Sequence, residues 1–351
     1  MGASLPAMRW LPALSCVAFL SVHPVAAQQP SPEVAPVMLR QLVPAGDPLA
    51  VQDLGFDAAF ARDAIEYVRT GDPHLESRLV ASPALTHVLA HARQFDYDVP
   101  KDSRAALLAT LLGPQSTPGE RSATCRQALA YFTGPILADA HWVNDALRYL
   151  PADFRFHGTL FLTFGYDIGV ALAPNASLNC THPHFAGHPR ELLYYAIHEL
   201  HHVGFMSYQA PPRVADLTTC ADLLRLVEYS TQLEGMAVLA AYQRRRDDGA
   251  LADDPDYTAL EDAARMHVDL AAYLKDREYL RTRRDQPADP EAWAVIERMS
   301  SGERLWYRVG AVMAERIEAA KGRAALVELV RQGPARFLAT FESLPPVPAP
   351  R

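Results

Sequence analysis

Tyr194-Tyr195-Ala196-Ile197-His198-Glu199-Leu200-His201-His202 is the stretch from which the rest of the chain can be read. It holds H-E-x-x-H inside an apolar run with helical character, a pattern whose residue types suit a metal ion and a water molecule. Side chains four positions apart share one helical face, so the imidazoles of His198 and His202 can reach one ion. Glu199 is turned about 100° from His198, beside the ion's open position, where a carboxylate can accept a proton from water. The bland alternative is a helix with surface histidines. The apolar flanks argue against it, because a solvated face would carry more polar residues.

Working outward, the segment before this helix is β-prone. Residues 159–164 read as a strand, with further strand potential over 168–172 and near Leu178, separated by Gly165, Gly169 and Pro174-Asn175. An exposed edge strand there could pair with an extended peptide through main-chain hydrogen bonds, or simply cover the core. His188-Pro189-Arg190-Glu191 opens the motif helix and Gly204 is expected to end it. A long helix follows over about 219–246, then another over 257–281. Three more helical segments are expected, opened by Asp289-Pro290 and divided by Gly302, Gly322 and Gly333-Pro334. The fold class expected is mainly α with a small β-sheet preceding the motif helix. Residues 54–150 form an N-terminal helical region, 151–246 the core of the site, 247–344 a C-terminal helical region and 345–351 a loose tail.

The beginning of the chain has a different character. Arg9 precedes a short apolar run, and Val25-Ala26-Ala27 supplies small residues where a signal peptidase cuts, so residues 1–27 read as a secretory signal. Residues 28–53, rich in Pro and Gln, read as an extended leader. The expected location is periplasmic or extracellular, without a stable membrane span. A hydrophobic content of 49% supports a sizeable core, and a formal net charge of −8 offers nothing to nucleic acid or anionic membranes. Arg244-Arg245-Arg246 is expected to sit at the carbonyl pole of its helix. Removal of the signal leaves Cys125, Cys180 and Cys220, with no C-x-x-C. One disulfide is expected in an oxidising compartment; Cys180 with Cys220 is weakly preferred, since they bracket the motif helix.

Catalytic zinc takes three protein ligands and water, so a third donor is needed. The long downstream helix offers Glu228 and Glu234, about 240° apart around its axis and therefore not both facing one ion. Glu234, in Leu233-Glu234-Gly235-Met236-Ala237, has small neighbours that allow close approach of the motif helix; Glu228 lies between Val227 and Tyr229. Glu234 is the favoured metal ligand.

With that residue in place, His198-Glu199-x-x-His202 followed by Glu234-Gly235-x-Ala237 resembles the gluzincin metallopeptidases, including bacterial families of zinc-dependent peptidases. The likeness is strongest over 155–245, with a longer interval between His202 and Glu234 than in thermolysin-like members. The resemblance implies a gluzincin-like architecture, one zinc ion held by His198, His202 and Glu234, Glu199 as general base, and a peptide or protein substrate. It also implies a donor for the developing oxyanion from the C-terminal part. Tyr307 is the first choice and Tyr279 the second, against the plainer reading of Tyr307 as a core aromatic.

Several residues make weaker claims. His201 lies off the metal face, beside the site or on the surface. His182 and His184 form H-x-H in a loop and read as ordinary polar residues. Asn175 and Asn179 begin N-x-S/T sequons. Two other function classes compete with hydrolysis: a zinc-binding, catalytically silent module that binds a partner, and a di-metal helical bundle. The second would need another E-x-x-H, and the chain has none.

Overall fold

The structure, a computed structural model, describes residues 35–113 and 118–346. The expected signal lies outside them. The described chain is mainly helical around one five-stranded sheet, in the order β1 (Val37–Met38), β2 (Gly55–Asp57), β3 (Thr159–Thr163), β5 (Asn175–Asn179), β4 (Gly169–Leu172). β2, β3 and β5 run parallel, while β1 and β4 are antiparallel edges. Leu160, Phe161 and Leu162 are consecutive and all buried, so both faces of β3 are covered, as parallel strands require.

That cover comes from both halves of the chain. α2 (Ala59–Thr70) packs on β3, and α4 (Pro83–Gln94) packs on β3, β4 and β5. α8 (Glu191–Met206) packs on β4 and β5. The stretch before β2, which composition marks as an extended leader, carries β1, α1 (Leu39–Leu42) and a short turn of helix at Pro48–Val51, with Leu39 and Leu49 buried. α3 (Pro73–Ala81), α5 (Arg104–Leu112), α6 (Pro118–Tyr131) and α7 (Val143–Leu147) complete the N-terminal region. The disulfide joins Cys125 of α6 to Cys180 after β5, not Cys180 to Cys220. Cys220 is a buried thiol. Flanking one helix on the chain is no guide to spatial pairing; α6 runs beside the end of β5, and Cys220 is turned toward the Pro287 carbonyl.

Gly204 does not end α8. It lies two residues inside the helix, where a Cβ would sit 2.1 Å from Leu150 Cδ1, so its lack of a side chain serves packing rather than termination. α9 (Cys220–Asp247) starts at Thr219, whose side chain caps it together with Asp222. The helix expected over 257–281 is two, α10 (Pro255–Leu260) and α11 (Ala263–Thr282), because Asp262 caps a new start. Four helices close the chain, not three: α12 (Pro290–Glu297), α13 (Leu305–Lys321), α14 (Arg323–Gln332) and α15 (Pro334–Glu342). Gly322 and Gly333, with φ of 83° and 84°, turn the chain between the last three.

α9 and α13 approach until their backbones touch. A Cβ on Gly235 would lie 2.1 Å from the Gly310 carbonyl carbon, and one on Gly310 would lie 2.2 Å from the Thr231 carbonyl oxygen. Gly235 thus makes room for α13, not for the motif helix. Among the described residues, no helix is long and apolar enough to cross a membrane.

Candidate metal centre

α8 and α9 run antiparallel and are fastened at the start of α8. Glu191, in its first turn, accepts from both Nη atoms of Arg245 at 2.8 and 2.5 Å, and Tyr194 donates to Asp248 at 2.8 Å. Arg245 is almost fully buried, with its guanidinium 4.3 Å from the ring centres of both Tyr194 and Tyr257. The arginine run does fall in the last turn of α9, but its middle member reaches inward as a structural cation. A buried pair of this kind fixes position, because removing either partner strands the other charge.

From that anchor the two helices bring three donors together. Glu234 Oε2 lies 3.1 Å from His198 Nε2 and 3.1 Å from His202 Nε2. Ligands on a tetrahedral zinc ion, each about 2.0–2.1 Å from it, stand roughly 3.3 Å apart, so this separation suits the ion. The protonation states of His198 and Glu234 suit it as well, whereas His202, although burial opposes it, is held above its ordinary value by Glu234 and must give up its proton to an incoming ion. Burial pushes His198 down to about 4, with His202 adding to the effect and Glu234 opposing it, which favours the neutral imidazole a metal needs. Burial alone would raise Glu234, yet the two imidazoles hold its carboxyl well below the usual range. His202 turns Nε2 to the cluster, and its Nδ1 is buried without a partner among the described residues. The donors and their spacing fit a zinc ion.

Glu199 sits beside this group, buried, in a space that exists because residue 169 is glycine. A Cβ there would come within 2.6 Å of Glu199 Oε1. Burial raises the Glu199 carboxyl to about 8; His202 opposes that, and the charges of Glu234 and Asp167 add to it. A carboxyl so placed is suited to exchange protons near neutral pH.

The remaining candidates separate clearly. Glu228 is bound by Arg277 Nε and Nη2 at 3.1 and 2.8 Å, away from the histidines. Tyr307 lies on the first turn of α13, one turn before Gly310, and the Glu234 charge reaches it; burial first, then Glu234, raises its phenol far above the ordinary value. Tyr279, on α11, neighbours Arg283 and, from α12, Glu291, and is not part of the group. His201 is not on the surface. It is fully buried and neither ring nitrogen has a partner among the described residues. Asn179 is buried too, its Oδ1 accepting from the amides of Gly165 and Thr181, so its side chain is closed to glycosylation.

Sequence reasoning left some neighbours unassigned. His184 Nε2 meets Glu191 Oε2 at 2.8 Å, and with Asp254 they form a second group of metal-type donors. Arg245 supplies its cation. Tyr97, from the loop after α4, donates to Asp167 at 2.7 Å, and Tyr166 beside it holds a left-handed backbone with φ of 79°. Tyr97, Asp167 and Gly169 bring the N-terminal region and the edge strand to the site. Only the glycine preceding a β-prone run hinted at this.

A mainly helical protein with a partly buried His–His–Glu donor set and an adjacent buried glutamate falls among candidate metalloproteins of the hydrolytic kind. The chain belongs to the family described as "Putative zinc dependent peptidase (DUF5700)", which matches residues 135–344. No curated protein and no solved structure matches it. The matched region holds all of the metal-type donors above, while Tyr97 and Cys125 lie before it.

Proposed function

We propose that the protein is an exported, zinc-dependent peptidase of gluzincin-like architecture, hydrolysing peptide bonds with one ion held by His198, His202 and Glu234. The observation that carries this reading is the convergence of His198 Nε2, His202 Nε2 and Glu234 Oε2 with the buried Glu199 beside them. When bound, zinc supplies Lewis-acid chemistry to the carbonyl under attack. Glu199 takes the proton of the attacking water and returns it to the leaving amine. Tyr307, kept protonated by burial and by the Glu234 charge, donates to the developing oxyanion. β4 has β5 on one side only, so an extended peptide can align along its other edge and pass Glu199 at Gly169.

Export is supported by the character of residues 1–27 and by the Cys125–Cys180 disulfide, which suits an oxidising compartment. The test is the zinc content of the purified chain together with hydrolysis of a mixed peptide library. One zinc per chain and peptide cleavage are expected, with Glu199→Gln keeping the zinc and losing about 10²–10⁴-fold in kcat/KM. A fully active Glu199→Gln protein would sink the mechanism, and a zinc-free wild type after metal resupply would sink the site.

A further inference from the structure

Arg304 stands at the mouth of α13 with part of its hydrogen-bonding capacity unused. Its Nε donates to Asp256 Oδ2 at 2.6 Å, and its guanidinium carbon lies 3.9 Å from the centre of the Tyr307 ring. Neither Nη atom has a hydrogen-bonding partner among the described residues, and the side chain is 40% exposed. Asp256 does not neutralise it alone, because its other oxygen accepts from Arg308 Nε at 2.7 Å. Arg308 also approaches Asp269, which already holds Arg265. Three guanidiniums thus share two carboxylates, leaving one positive charge in excess.

Two further observations face the same way. The backbone of Arg304 is left-handed, φ 54° and ψ 39°, a conformation that a non-glycine residue keeps only where its surroundings impose it, and often where function does. The first turn of α13 has no side-chain cap and no acidic residue, so its amides add positive potential beside the guanidinium. Tyr307, on which Arg304 stacks, lies one turn before Gly310, and Gly310 is pressed against Gly235, the neighbour of Glu234, so the guanidinium is carried on the element that packs against the donor group.

We infer that Arg304 receives a carboxylate of the substrate, its two free Nη atoms forming a bidentate pair with an acid group carried near the scissile bond. The substrates are then peptides that present either a free C-terminus or an acidic side chain at that position. This rests on the peptidase reading. It adds a requirement which that reading does not contain.

The test uses the full mature chain loaded with zinc and one peptide scaffold in four forms: free acid or amide at the C-terminus, and Glu or Gln as the neighbouring residue. The wild type is expected to cleave the forms bearing the recognised carboxylate about 10- to 100-fold better, as charge-assisted hydrogen bonds would give. Arg304→Ala should abolish the difference between the acidic and neutral forms, and Arg304→Lys should restore part of the preference. Arg304→Gly relieves the left-handed backbone while deleting the fork, and serves as the second variant, with melting temperature and zinc content as controls. Loss of preference with the amide assigns a terminal carboxylate; loss with Gln assigns a side chain. Equal rates on all four forms, or an equal loss on all of them in Arg304→Ala, would overturn the inference and leave the peptidase reading standing. If the wild type cleaves none, that reading falls. Calorimetric binding of the same four peptides to the zinc-loaded chain then decides: an acid preference lost in Arg304→Ala supports the inference, and its absence overturns it.

Discussion

Helix α8 carries two groups of metal-type donors, and they differ in what stands among them. At its start, Glu191 gathers His184 and Asp254, and Arg245 lies between the acids with both Nη atoms on Glu191. Two turns on, His198 and His202 meet Glu234 with, among the described residues, no guanidinium or ammonium on any of the three donors. Both sets satisfy the residue types and distances that a divalent cation asks for. The first already holds a cation of its own, so it works as a fastening; the second is left for an ion. Donor geometry is therefore necessary but does not by itself distinguish a metal site from an ion-pair anchor.

The comparison is broken most severely by taking away the resident cation. Arg245→Met should lose about 3–5 kcal/mol of stability, because Glu191 and Asp254 lose the guanidinium that lies between them and stay buried, with only His184 beside Glu191. Urea unfolding measures it, and an unchanged midpoint would mean the acids do not depend on the guanidinium. Zinc affinity sharpens the contrast next. Glu234→Ala should weaken it by at least about 100-fold, beyond the usual effect of a residue that only supports a ligand, whereas Glu191→Gln should leave the stoichiometry unchanged. Equal losses in competition titrations with a chelator would erase the distinction between the two groups.

A smaller effect is expected where α13 is pressed against α9. Gly310→Ala places a Cβ 2.2 Å from the Thr231 carbonyl and should cost about 1–3 kcal/mol, with part of the zinc affinity, since Glu234 rides on that contact. The smallest change is in pH. Burial holds His87 down to about 4 and, with His87 adding to it, His91 down to about 3. Their folded pKa values lie below the unfolded value near 6.5, so the unfolded state takes up protons first as pH falls. Stability is then present above pH 6.5 and lost progressively below it, by about 1 kcal/mol per histidine between pH 7 and 5.5. Denaturation at the two pH values should show this slope, reduced in His87→Leu, while the zinc-binding group keeps its own pH response.

How much of this is legible in the chain follows from the range of each signal. The motif helix, the long helix after it and the strands before it have local periodicity and caps, and they lie where those cues place them. Helical rotation, a local property, keeps Glu234 and Glu228 from facing one ion, but the small neighbour that favours Glu234 in the sequence serves another contact, since Gly235 makes room for α13. Gly204 was ambiguous: a glycine near a helix end and a glycine under Leu150 look alike in sequence. The Cys125 partner, the burial of His201 and the pairing of Arg245 with Glu191 depend on residues tens of positions apart, and no local pattern announces them. Tyr97 and Asp167 come from two different parts of the chain and meet only in the folded protein.

α9 also acts as a ruler. Glu234 and Arg245 are separated by 11 positions, about three helical turns, so both point toward α8 from one side of one rigid rod. A single inserted or deleted residue between them would swing one relative to the other by about 100° and take either the ligand or the anchor out of register. Loops on either side of α9 are free to lengthen, but this interval is not. Related chains that use the same anchor and the same ligand must keep that interval while the rest of their lengths drift.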